Sequence, residues 1–196
     1  MTSAATPKGT RRRSRLIEAA GALLLEGGFD AVRHRAVAER AQTPLASTTY
    51  YFASLEELMA EAAAHVARCD DERTTARSAG LARRRRGAQA TAEALSEVFI
   101  GADTPVAELA VRYETIALAA RYPRLAEVAD RRHARVAALH AEVLDKSGRH
   151  ADGEPVNWLI AVEEGAVAGA LGGTQSPFRA AREALHGVID VLAPAK

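Results

Sequence analysis

Apolar residues recur at helical spacing along most of the chain. Ile17, Ala20 and Leu24 share a face, with Leu23 beside them, in a segment from about Arg11 to Glu26. That spacing predicts an amphipathic helix. Gly27 and Gly28 end it, because glycine accepts the left-handed cap conformation. A short helix follows in "VRHRAVAERA", with Val37 and Ala41 inward and Arg33, Arg35, Glu39 and Arg40 outward. Gln42-Thr43-Pro44 breaks it. Thr43 is placed to cap the next helix and Pro44 to take its first position. That third helix runs to about Phe52. Ser54 to Glu57 has the spacing of a capping box, in which each side chain answers the other's amide. It opens a long helix reaching about Arg77.

"AGLARRRRGAQ" interrupts the pattern, which then resumes. Val106, Leu109, Tyr113, Ile116 and Ala120 form one stripe. Leu125, Val128, Val136, Leu139 and Val143 form another, broken by Arg132. Tyr122-Pro123 separates the two, since a residue before proline avoids the helical region. Another helix spans about Val156 to Leu171. The last buries Phe178, Ala181, Leu185, Val188 and Leu192. No segment alternates with a strand period. The expectation is an all-α protein of about nine helices.

Composition supports this reading. Of 196 residues, 48% are hydrophobic and only 5% aromatic, a balance that favours helices packed on small residues over a sheet. A single cysteine, Cys69, excludes an intrachain disulfide and points to a reducing compartment, the cytoplasm. No apolar run nears the ~20 residues that span a bilayer. The basic start followed by "LIEAAGALLL" resembles a secretory signal, but Glu18 interrupts the apolar part, so an amphipathic helix is the better reading.

Charge is unevenly spread. Residues 1–53 carry eight basic residues against four acids, a balance of +4 in a chain whose net charge is +1. A basic first quarter on a slightly acidic body fits a polyanionic partner. The stretch "TPLASTTYYF", Thr43 to Phe52, adds to this. Ser and Thr are poor helix-interior residues, so propensity did not select Ser47, Thr48 and Thr49. Two short helices joined by a tight break form a helix-turn-helix, whose second member lies in the major groove of DNA. Hydroxyls, small apolar groups and phenols there match base edges, thymine methyls and phosphates. Leu45, Ala46, Ser47, Thr49 and Tyr50 are the expected groove-facing residues. Thr43, with Pro44 beside it, Arg33, Arg35 and Tyr51 are expected near phosphates. Phe52 is expected to turn inward.

The segment Arg15 to Ala63 resembles the N-terminal domain of the TetR family of bacterial transcriptional regulators. Gly28-Phe29, Val37-Ala38, Ala41, Phe52, Ser54 and Glu57-Leu58 match its pattern in order and spacing. The chain departs from it at Gln42-Thr43-Pro44, where Gly-Val-Ser is usual, and at Thr48-Thr49, where Leu-Tyr is usual. Gln42 must then adopt the turn glycine's backbone conformation. Residues 1–10 are small and polar and are expected to form a disordered arm. The resemblance implies a DNA-binding helix-turn-helix domain at 11–55 and an effector-binding and dimerisation domain at 56–196. It also implies a homodimer formed through the last two helices, a pseudo-palindromic duplex DNA partner, and repression relieved by a small-molecule effector. The small residues of "AVEEGAVAGALGG" permit close helix approach.

His65, Cys69, Phe99, Tyr113, Trp158 and Glu163 are candidate effector-pocket residues. Glu163 is the most pointed of them, because a carboxylate on an apolar stripe is costly unless paired. A metal-responsive alternative uses His65 and Cys69, four apart on one helix, with His133 and His140, seven apart on another. A second alternative is a helical enzyme or interaction module without DNA binding. No phosphate loop, zinc-hydrolase helix motif or nucleophile elbow is present, so the expectation is not an enzyme, with no cofactor.

Overall fold

The computed structural model describes residues 6–196. Among them nine helices follow in order: α1 (Pro7–Ala31), α2 (His34–Arg40), α3 (Leu45–Tyr51), α4 (Leu55–Gly80), α5 (Ala88–Phe99), α6 (Val106–Ala119), α7 (Pro123–Lys146), α8 (Glu154–Leu171) and α9 (Pro177–Leu192). The extended pairing present is one isolated bridge, Arg149 to Ala195.

α1 begins at Pro7, not Arg11. Thr6 is its N-cap: the Thr6 hydroxyl accepts from the Gly9 amide at 3.2 Å, and Pro7 takes the first position. Residues 7–10, expected in a disordered arm, are therefore helical, while 1–5 lie outside the described residues. α1 kinks at Gly27 and Gly28, where Gly28 has φ +66°. A Cβ at Gly28 would also lie 2.9 Å from Glu114 Oε2. That carboxylate accepts from the Phe29 amide at 3.4 Å.

The α2–α3 turn is a Schellman motif with an unusual residue at its pivot. The Thr43 amide donates to Ala38 O at 2.9 Å, and the Gln42 amide donates to Glu39 O at 3.1 Å. Gln42 supplies the left-handed residue at φ +52°, the one non-glycine in that region among the described residues. The expectation that it replaces a glycine is met. The expected cap of α3 is not. Pro44, with φ −57° and ψ 143°, is the N-cap, and no side chain caps the helix. Completing the Schellman motif takes Thr43 one position too early to cap, and its hydroxyl is buried without a protein partner. The capping box of α4 forms with one change. Ser54 Oγ accepts from the Glu57 amide at 3.1 Å, but Glu57 reaches back to the Ala53 amide, at 2.7 Å.

The chain divides into two compact units, residues 6–69 with 110–129 and residues 70–109 with 130–196. The first extends past the expected boundary at 55, because the start of α4 buries Leu58, Ala62 and Ala63 in its core. That core also holds Leu16, Leu24, Val37, Phe52, Val111 and Leu125. In the second unit α5 and α8 pack on α9. Its buried residues include Leu95, Phe99, Leu139, Leu159, Ile160 and Leu185. The buried line of α9 is Ala181, Leu185 and Ile189, while Phe178, Val188 and Leu192 are half-buried.

The arginine run before α5 is partly structural. Arg86 is buried and donates to Ala82 O at 2.8 Å and to Lys146 O at 3.3 Å. Desolvation holds its pKa below that of a free guanidinium. Arg83 pairs with Asp145 at 2.7 Å, and Arg85 donates to Lys196 O. Arg84 remains exposed.

Candidate nucleic-acid interface

α3 is seven residues long and held by what flanks it. Phe52, immediately after it, is fully buried as expected. Thr48, where a leucine is usual in similar sequences, is also fully buried, and its hydroxyl donates to Leu45 O at 2.8 Å. A hydroxyl can sit in this core because its own helix satisfies it. Burial of Thr48 and Phe52 points the other side of α3 outward. Tyr50 is 81% exposed and Leu45 50% exposed. Pro44, Ala46 and Thr49 are exposed too, and Ser47 is half-buried. Solvent-facing tyrosine and leucine on a seven-residue helix contribute little to stability, so packing does not account for them.

Tyr51 is half-buried against the first unit's core, and its ring meets Tyr50 edge-on at 4.9 Å. The two arginines expected near phosphates have internal work. Arg33 donates to Phe29 O and Val32 O and pairs with Asp30 at 3.0 Å, finishing α1. Arg35 pairs with Glu39 at 2.9 Å across one exposed turn, a contact of small net stability. Arg40 is held by Glu26 at 2.5 Å, which keeps that carboxyl below its usual pKa.

The candidate effector residues separate into two groups. His65 and Tyr113 are half-buried and Cys69 is exposed, all in the first unit. His65 lies over Gly21, where a Cβ would come within 2.8 Å of its ring. In the second unit Trp158 is exposed, while Phe99 and Glu163 meet around a residue read only as a metal candidate, His140. Phe99 stacks on the His140 ring at 3.8 Å and 20°. His140 Nδ1 lies 3.0 Å from Val136 O, and Nε2 lies 3.1 Å from Glu163 Oε2. A carbonyl only accepts, so Nδ1 carries a proton. Nε2 and Oε2 therefore share a further one. Glu163 Oε1 is buried with no protein hydrogen-bond partner. The sequence signal for this pair was the carboxylate on the α8 stripe, which required a partner it did not identify. A cleft of about 380 Å³ opens in the same unit beside Ile100, lined by Val106, Leu109, Leu171 and Phe178.

Nothing supports the metal-responsive alternative. Among the described residues no three His, Cys, Asp or Glu side chains gather as a metal site. His133 is exposed, whereas His140 is buried and engaged by Glu163. No helix of the described residues is long and apolar enough to cross a membrane.

Residues 16–62 match the family model described as bacterial regulatory proteins, tetR family. Residues 86–191 match the tetracyclin repressor-like C-terminal domain. No curated protein matches the chain. Among solved structures, the multidrug binding protein EbrR complexed with imidazole is 30% identical, with a TM-score of 0.71 over 94% of this chain and 96% of its own. EbrR complexed with proflavin is 28% identical, with a TM-score of 0.70 over 92% and 99%. A TetR-family member from Streptomyces coelicolor A3 is 30% identical, with a TM-score of 0.65 over 90% and 97%.

Proposed function

The chain belongs to the TetR family of bacterial transcriptional regulators, and from that premise we propose a homodimeric repressor released from a pseudo-palindromic operator by a small-molecule effector. The observation that carries the DNA reading is the outward face of α3. Leu45, Ala46, Ser47, Thr49 and Tyr50 face the major groove, with Tyr51, Thr43, Pro44, Arg33 and Arg35 at its phosphate edges. A twofold dimer presents two such helices to half-sites ~34 Å apart, or a multiple of that.

The dimer forms through α8 and α9. Trp158, Ala161, Gly165 and Ala168 make an exposed stripe along α8 that ends at its C-cap, Gly172, and Val191 of α9 is 83% exposed. Beside Gly165, Gly169 and Gly187 there is open space. Apolar and small residues left facing water on two packed helices fit a close helix-to-helix partner.

The effector is a planar organic cation held in the second unit. EbrR, the similar protein, is known in complex with proflavin and with ethidium. Here Glu163 offers an unpartnered buried carboxylate oxygen beside the stacked Phe99 and His140 rings. A cation that reaches it gains a charge-assisted contact and an aromatic face. Binding releases DNA because the effector favours one dimer geometry over the other, a coupling of ~1–3 kcal/mol.

The test begins with duplexes selected from a random library by the wild-type protein. Ser47→Ala with Tyr50→Ala should weaken binding to the selected duplex at least tenfold in fluorescence anisotropy. Retention of full affinity would place recognition on another helix. Ethidium titrated into the complex should release the DNA, and Glu163→Gln should raise the ethidium Kd roughly tenfold or more.

A further inference from the structure

The first two turns of α1 carry a charge pattern that the helix-turn-helix alone does not use. Lys8, Arg11, Arg12 and Arg15 stand at i, i+3, i+4 and i+7, which puts all four on one face. All four are exposed, and they line a concavity of about 530 Å³ with Pro7. The nearby arginines of α1 to α3 are held by carboxylates: Arg13 pairs with Glu61 at 2.5 Å, and Arg33, Arg35 and Arg40 are paired as described. Lys8, Arg11 and Arg12 form no ion pair among the described residues.

This arrangement opposes the stability of its own helix. Like charges three and four residues apart repel by a few tenths of a kcal/mol each. Cations near a helix N-terminus also face the positive end of the dipole, and no acid stands in the first turn to offset them. Yet the segment is built as a helix, through the Thr6 cap and Pro7. It is also tied to the recognition elements in the same unit. A Cβ at Gly9 would lie 3.5 Å from Tyr51 Oη, at the end of α3. Arg13 sits 5.3 Å over the Phe52 ring. Arg15 donates to Ala41 O, at the α2–α3 turn, at 2.9 Å.

We propose that Lys8, Arg11 and Arg12, with Arg15 behind them, form a second DNA contact, a rigid clamp on the phosphates beside the half-site read by α3. The inference rests on the DNA-binding reading above. From Lys8 to Arg15 the stripe is ~10 Å long, which on a strand with one phosphate per ~3.4 Å of axis matches two or three phosphates. A helical clamp has its ordering entropy settled before DNA arrives, unlike a flexible basic arm. It carries no base-edge chemistry, so its contribution is independent of sequence and dependent on salt.

The test compares the wild type with a Lys8→Gln, Arg11→Gln, Arg12→Gln triple variant. The probes are the library-selected duplex and an unrelated mixed-sequence duplex of equal length, titrated across KCl concentrations. With ~0.9 counterion released per phosphate contact, the log–log salt slope should become shallower by roughly two to three per protomer. Affinity should fall by a similar factor, tenfold or more, on both duplexes. An unchanged slope and affinity in the variant, with a wild type that binds, overturns the clamp and leaves the α3 reading standing. A wild type with no salt-dependent binding to either duplex removes both. Loss confined to the selected duplex also overturns the clamp, since that outcome marks base reading. Circular dichroism checks folding, and removing the repulsion should leave helix content equal or higher.

Discussion

His140 Nε2 lies 3.1 Å from Glu163 Oε2, with both side chains buried and one proton between them. The two positions are 23 residues apart, on α7 and α8. His140→Ala leaves a buried carboxylate with neither oxygen partnered, which should cost ~3–5 kcal/mol in urea unfolding. Glu163→Gln keeps a donor for Nε2 through its amide and should cost no more than about 1 kcal/mol. Equal losses in the two variants would show that the pair is not the buried polar unit described.

Gln42 occupies the left-handed position of the α2–α3 turn at φ +52°. Glycine has no Cβ penalty there, so Gln42→Gly should stabilise the protein by about 1 kcal/mol, read as a raised denaturant midpoint at constant slope. A lower midpoint would mean that the glutamine side chain contributes a contact worth more than the strain.

Gly28 should tolerate nothing larger. At φ +66°, with Glu114 Oε2 2.9 Å from a built Cβ, Gly28→Ala meets both strain and collision. The carboxylate would have to leave the Phe29 amide. A loss of ~2 kcal/mol or more in chemical unfolding is expected. Gly80→Ala, where a Cβ meets open space, is the control and should be near neutral or better.

Asp145 lies between Lys196 and Arg83, which lower its pKa from 3.8 to about 2. A depressed carboxylate stabilises the fold above its unfolded pKa, and the contribution disappears as pH falls from 3.8 through about 2. The Tm difference between wild type and Asp145→Asn should therefore be present at neutral pH, shrink across that window, and vanish at its acid end. A difference independent of pH would assign the effect to packing.

Gly165 stands on the exposed stripe of α8 with open space at its Cβ position. Within one protomer Gly165→Leu should therefore fold and gain helix propensity. Across a close helix interface the added side chain blocks approach. Sedimentation should show a dimer for the wild type and a shift toward monomer for the variant, with operator affinity falling in step. A fully dimeric variant would move the interface elsewhere.

What was legible in the sequence is what one turn of chain encodes. The break at Gly27-Gly28, the inward Phe52 and the Ser54 cap follow from local sterics, hydrogen bonding and apolar spacing, while the left-handed Gln42 follows from the family resemblance. The Thr6 cap and Pro7 that start α1 are local signals of the same kind. Partners were not legible, because charge and hydrogen-bond pairing depends on which distant side chains the fold brings within about 3 Å. That is why charge and the helix-turn-helix pattern place Arg33 and Arg35 at phosphates without showing their acidic neighbours. For the same reason the sequence does not show that carbonyls surround Arg86, or that Glu163 stands beside His140, which spacing offers only as a ligand in the metal alternative. Periodicity thus determined the helices and their inner faces. Tertiary structure alone decided which polar groups are engaged inside the protein and which, on α3 and at the front of α1, still face outward.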